Sequence, residues 1–263
     1  MKHIKISTHL LTAGLVLMSL FTNAQSKTAQ SFYRISVYHY KDTVQETTIS
    51  NYLQNALLPA LHRISIKNIG VFKALSNDTS ADKTMYVLMP VQSLTELADI
   101  TVKLNVDKAY GAAGSAYLSA AYDTAPYTRM ETILLQAFPL SPSIQNPKLK
   151  AANKDRVYEL RSYEGATEKL HASKVKMFNT GDEVGIFKRL NFNAVFYAEV
   201  LAGSHMPNLM YMTTFENMAD REEHWKKFGD DAAFKNLLAM PEYQHNVSKA
   251  DIIFLRPMDY SDL

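Results

Sequence analysis

The feature that most constrains this chain is a strand-like pattern that recurs about 125 residues later. Phe32-Tyr33-Arg34-Ile35-Ser36-Val37-Tyr38 alternates as a half-buried strand does, and so does Val157-Tyr158-Glu159-Leu160-Arg161-Ser162-Tyr163. Tyr33 and Tyr38 match Tyr158 and Tyr163, each pair 125 apart. Val71-Phe72 matches Val195-Phe196 at 124, Met85-Tyr86 matches Met210-Tyr211 at 125, and Ile133 matches Ile252 at 119. Four landmarks in one order, at nearly one spacing, predict two diverged copies of one unit.

Between the landmarks the apolar period is helical. Leu53, Leu57 and Leu61 fall at four-residue steps within Ile49 to Leu61, answered in the second copy by Glu168 to Leu190. Leu94 to Leu118 is answered by Met218 to Leu238, where Trp225 and Phe228 are the expected core contacts. Each copy therefore reads strand, helix, strand, strand, helix, strand, which suits a ferredoxin-like split βαβ unit. The predicted boundaries are 32–138 and 156–263. They are joined by 139–155, which has no periodicity and holds Pro139, Pro142 and Pro147, the mark of a linker. The run Gly111 to Ser115 lacks a phosphate-loop Lys and points to close helix packing.

The first 24 residues stand apart. Lys2 and Lys5, the apolar or small run Leu10 to Phe21, and the exit Thr22-Asn23-Ala24 are the three parts of a secretory signal. The run is shorter than the ~20 residues that span a bilayer. Residues 25–31 are polar and are expected to be loose. The expected destination is periplasmic or secreted. The chain has 28 Lys+Arg and 26 Asp+Glu; removing Lys2 and Lys5 leaves 26 of each. Near-neutrality gives no electrostatic footprint for nucleic acid. With no cysteine there is no disulfide, thiol nucleophile or thiolate metal site.

The second copy resembles the NIPSNAP family. The resemblance rests on Val157 to Tyr163, on Met206-Pro207-Asn208-Leu209-Met210-Tyr211-Met212, on the helix through Arg221, Trp225 and Phe228, and on Phe254-Leu255-Arg256-Pro257. The first copy keeps the strand layout and lacks the Glu-Leu-Arg and Pro-Asn-Leu signatures. The resemblance implies the dimeric α+β barrel group, in which two ferredoxin-like units set their sheets face to face with helices outside. Two units in one chain would close that barrel intramolecularly, since a sheet covered by helices on one face has another face to bury.

Strand periodicity puts Glu159, Arg161 and Tyr163 on one face of their strand and Tyr158, Leu160 and Ser162 on the other. The second, more apolar set is expected to meet the helices, which turns Glu159, Arg161 and Tyr163 into the barrel as a candidate ligand site or, as the blander alternative, a structural ion pair bridging neighbouring strands. Glu199 closes the strand-like Asn193 to Val200 and is expected near His205, where the two would serve proton transfer if within hydrogen-bond reach. His171, His205 and His224 show no paired metal-ligand spacing, and no cofactor or metal is assigned. The leading functional expectation is a protein holding a small, partly apolar ligand in the barrel. The alternatives are a cofactor-free or heme-dependent oxygenase of the barrel group, and a protein-interaction module.

Overall fold

The computed structural model describes residues 29–263. The expected signal segment 1–24 lies outside the described residues, as do 25–28. Ser31, the last of the residues expected to be loose, is buried and tied in: its N–H donates to the Pro142 carbonyl at 2.8 Å and its carbonyl accepts from Ala137 at 2.9 Å.

The first half runs β1 (Phe32–Tyr40), α1 (Thr43–Tyr52), a π turn (Leu53–Leu57) continuing into α2 (Leu58–Arg63), β2 (Gly70–Ala74), β3 (Lys83–Val91), α3 (Leu94–Val106), α4 (Lys108–Ala113), α5 (Ser115–Leu118) and β4 (Arg129–Ala137). The second runs β5 (Val157–Glu164), α6 (Glu168–Phe178), α7 (Glu183–Arg189), β6 (Phe196–Ala202), β7 (Asn208–Phe215), α8 (Met218–Asp230), α9 (Ala232–Ala239) and β8 (Lys249–Pro257). The four long helices start alike. Asp42, Ser93, Thr167 and Asn217 each accept the N–H three residues on, satisfying one of the donors a helix start leaves free. Gly114 is the close contact in its small-residue run, since a Cβ there would lie 3.2 Å from Ala56 Cβ.

The eight strands of the described residues join one closed antiparallel barrel in the order β1-β3-β2-β8-β5-β7-β6-β4. Each half contributes a contiguous ferredoxin-like sheet, β4-β1-β3-β2 and β8-β5-β7-β6. The seams are β2 with β8, where Phe72 faces Pro257, and β4 with β6, where Leu135 faces Val200. Closure leaves no sheet edge unpaired. Three cores result: a barrel interior built from both halves, and one sheet–helix layer per half.

Strand register corrects three of the sequence landmarks. Phe72 pairs with Tyr86 and Ala198 with Met210, so Val71-Phe72 answers to Tyr197-Ala198, two residues on from Val195-Phe196 and facing the same way. Tyr38 pairs with Met85, and its counterpart Tyr163 pairs with Leu209, so Met85 answers to Leu209 and Tyr86 to Met210. Likewise Ile35 pairs with Ile133 and Leu160 with Ile253, so Ile133 answers to Ile253 rather than Ile252. A slip of one residue moves a side chain to the opposite face of the sheet. Tyr86 lies in the barrel interior whereas Tyr211 lies under the helices, and Ile252 is exposed.

Residues 139–155 form a strap rather than a free linker. Gln145 N–H donates to the Val195 carbonyl at 2.9 Å, and the Glu216 carboxylate accepts the N–H groups of Lys150 and Ala151. Ile144 and Leu149 pack against the barrel interior.

Candidate functional site

The two faces of β5 are the reverse of the sequence expectation. Tyr158 and Leu160 fill the barrel, while Glu159, Arg161 and Tyr163 lie in the layer beneath the helices. The barrel interior is enclosed by the strands and sealed by apolar side chains such as Ile144, Leu149 and Leu263, so it takes the apolar set. The outer face meets α8, which brings Arg221 and Trp225 to Glu159 as partners.

Glu159 is fully buried. Its oxygens accept from Arg161 Nε at 2.5 Å, Arg221 Nε at 2.8 Å, Arg221 Nη2 at 3.1 Å and Trp225 Nε1 at 2.8 Å. Burial pushes its pKa up, but the Arg221 hydrogen bonds, the Arg161 charge and the Trp225 bond together outweigh burial and hold it below the ordinary carboxylate value. The Arg161 guanidinium lies 3.7 Å from the centre of the Trp225 ring, a cation–π contact. Its Nη1 donates to Tyr163 Oη at 2.8 Å, and Tyr163 and Tyr211 share a hydrogen bond of 2.9 Å. Burial keeps the Tyr211 phenol protonated. The network is a buried ion-pair cluster that ties strand β5 to helix α8, where the blander alternative joined neighbouring strands.

Glu199 and His205 do not meet. Glu199 sits in mid-strand on the outer face of β6 and pairs with His171 Nε2 of α6 at 3.0 Å. His205 lies in the β6–β7 turn with φ 68°, and its Nδ1 is 2.9 Å from Glu164 Oε1. His224 bonds the Asp220 carbonyl within its own helix. The five candidate residues thus divide among three places. Sequence reasoning missed the buried pair Lys174–Glu183, 2.9 Å apart. Its one signal is that Lys174 shares the face of α6 that carries His171 and Phe178.

The barrel interior is packed with side chains. Tyr33 of the first half packs on Phe196 of the second at a ring distance of 5.3 Å, and Tyr158 of the second packs on Phe72 of the first at 4.9 Å. All four are fully buried. A cleft of about 410 Å³ lies instead between the strap and α7. Its floor is Val184, Phe187 and Tyr197, all buried; its walls include Asn191, Asn193 and Gln145. Among the described residues, Lys148 and Lys188 are its only charged lining residues, and no histidine borders it.

Two solved structures share this architecture across 87% of the chain. One, from Fusobacterium nucleatum subsp. nucleatum, is provisionally named a monooxygenase; it is 8% identical over 93% of its own length, with a TM-score of 0.57. The other, from Lactobacillus acidophilus and similarly named, is 10% identical over 94% of its length, with a TM-score of 0.58. At such identities the likeness is one of fold. A NIPSNAP family protein from Agrobacterium tumefaciens is 17% identical and covers 44% of this chain and 98% of its own, with a TM-score of 0.37. No curated protein sequence matches. The NIPSNAP family model matches residues 158–262, so the half that holds the Glu159 network is the part of the chain similar to that family.

Proposed function

We propose that this is an exported small-molecule-binding protein whose ligand is a partly apolar anion held in the cleft between the strap and α7. The observation that carries the reading is the lining of that cleft: a buried apolar floor, amide side chains on the walls, and two lysines with no carboxylate. A volume of about 410 Å³ suits a small metabolite. Export rests on the N-terminal signal pattern. The ligand expected in the barrel is relocated because Tyr33, Phe72, Tyr158 and Phe196 fill that space.

The test is calorimetric titration with aromatic and short-chain carboxylates beside their uncharged amides. The carboxylates bind and the amides bind weakly, and the double substitution Lys148→Ala with Lys188→Ala removes the preference. Equal binding of acid and amide, or an unchanged preference in the double variant, rules the reading out.

The oxygenase alternative is supported by fold likeness alone. Glu159, the one fully buried carboxylate of the NIPSNAP half, is saturated by donors, and His171 Nε2 is engaged by Glu199. A visible spectrum of protein produced with heme supplied separates its heme branch from the binding reading.

A further inference from the structure

The end of β5, the start of β8 and the β6–β7 turn bring Glu164, Asp251 and His205 together. One nitrogen or oxygen from each lies within 4.8 Å of the others. Glu164 Oε1 is shielded from solvent and has no aligned hydrogen-bond donor, although His205 Nδ1 is only 2.9 Å away. The imidazole and the carboxylate thus stand at ion-pair distance without an aligned hydrogen bond, and a cation between them would give Glu164 Oε1 the partner it lacks. Asn208, directly opposite Glu164 on β7 and buried, also has an Oδ1 without a partner. The nearby positive group is Lys249, whose ammonium is 3.1 Å from Asp251 and 3.6 Å from Glu164. Its side chain is half exposed and free to swing outward.

The first half supplies an internal comparison. Strand register sets His39 where Glu164 stands, Glu131 where Asp251 stands and Arg129 where Lys249 stands, with Asp82 before the facing strand. The composition is the same: one histidine, two carboxylates and one cation. There the polar groups satisfy one another. His39 Nδ1 bonds Asp82 at 2.9 Å, His39 Nε2 bonds Glu131 at 3.0 Å, and Arg129 is 2.7 Å from Glu131. In the second half the histidine has moved to the turn, and Glu164 Oε1 and Asn208 Oδ1 are left without a hydrogen-bond partner.

We propose that Glu164, His205 and Asp251 form a site for a divalent transition-metal ion, with Lys249 as the internal cation the metal displaces. One imidazole and two carboxylates with solvent at the fourth position is a donor set that suits Zn²⁺. Zn–N and Zn–O bonds near 2.0–2.2 Å put tetrahedral ligands about 3.4 Å apart, so His205 and Glu164, now 2.9 Å apart, open by about 0.5 Å while separations of up to 4.8 Å close by as much as about 1.4 Å, shifts an exposed turn accommodates. Ca²⁺ needs six to eight oxygens and does not fit this set.

Zn²⁺ is titrated into the full metal-free protein by calorimetry. The expected result is saturable 1:1 binding that millimolar Ca²⁺ does not displace. His205→Ala and Glu164→Gln each weaken it by about tenfold or more. Lys249→Met tightens it, because the competing ammonium is gone. Absence of 1:1 binding overturns the site, as does equal affinity in His205→Ala, which would trace the metal to other histidines. Weaker binding in Lys249→Met overturns the role given to the lysine.

Discussion

Four N–H donors from Arg161, Arg221 and Trp225 converge on one carboxylate that water does not reach. Removing one member of a buried ionic group leaves the others charged and unpaired, at a cost of about 3–5 kcal/mol. Glu159→Gln is expected to destabilise the fold by about 3 kcal/mol at neutral pH, measured by urea unfolding. The pH dependence has a definite sign. The folded-state pKa is held below the ordinary value of 4.5, so the stabilisation is complete above that value and is lost as pH falls through the lower folded value. Melting temperatures taken from pH 7 to pH 3 fall more steeply for the native protein than for Glu159→Gln; parallel curves would show that the network is not linked to this carboxyl. That Glu159 and Arg161 form a unit was legible in their alternation. Their partners were not, because Arg221 is 60 positions from Arg161 and meets Glu159 only after α8 docks on β5.

At the scale of elements, strands and helices were readable because each carries its own period, and the four capping side chains mark the helix starts locally. The inward face of β5 was not readable. A strand covered on both sides has no solvent face, so polarity alone does not orient it. Register was equally hidden: Met85-Tyr86 and Met210-Tyr211 look alike in sequence and point opposite ways in the barrel. β2 shows how tightly the interior is set. A Cβ on Gly70 would lie 2.4 Å from Cε2 of Phe72, whose buried ring is held against Tyr158. Gly70→Ala is therefore expected to cost about 1–3 kcal/mol through overpacking. Adding Phe72→Leu restores part of that loss if the clash is the cause, and calorimetric melting of the single and double variants decides it.

At the scale of the whole molecule, the two halves meet through reciprocal contacts: Tyr33 on Phe196 and Tyr158 on Phe72. We propose that the halves descend from one duplicated unit whose two copies once paired symmetrically. Residues 156–263 alone would expose the inner face carrying Tyr158, Leu160, Phe196, Ala198 and Met212. Since Tyr158 and Phe196 sit on one face, a second copy presents each ring to the other, as in an isologous interface. The isolated half is expected to sediment as a homodimer; a stable, cooperatively folding monomer would contradict this. No helix among the described residues is long and apolar enough to cross a membrane.

The sequence by itself determined the kinds of element, their order, the two-half layout and the NIPSNAP resemblance of the second half, because all of these rest on local periodicity and short motifs. Tertiary structure decided which face of β5 is enclosed, which carboxylate meets which histidine, and that residues 139–155 are a strap lining a cleft. These depend on contacts between positions far apart in the chain. A closed barrel with helices outside offers two buried surfaces; on β5 the apolar side chains went to the barrel interior, which offers no helix as a partner, while Glu159 and Arg161 went to the one where a helix supplies their partners.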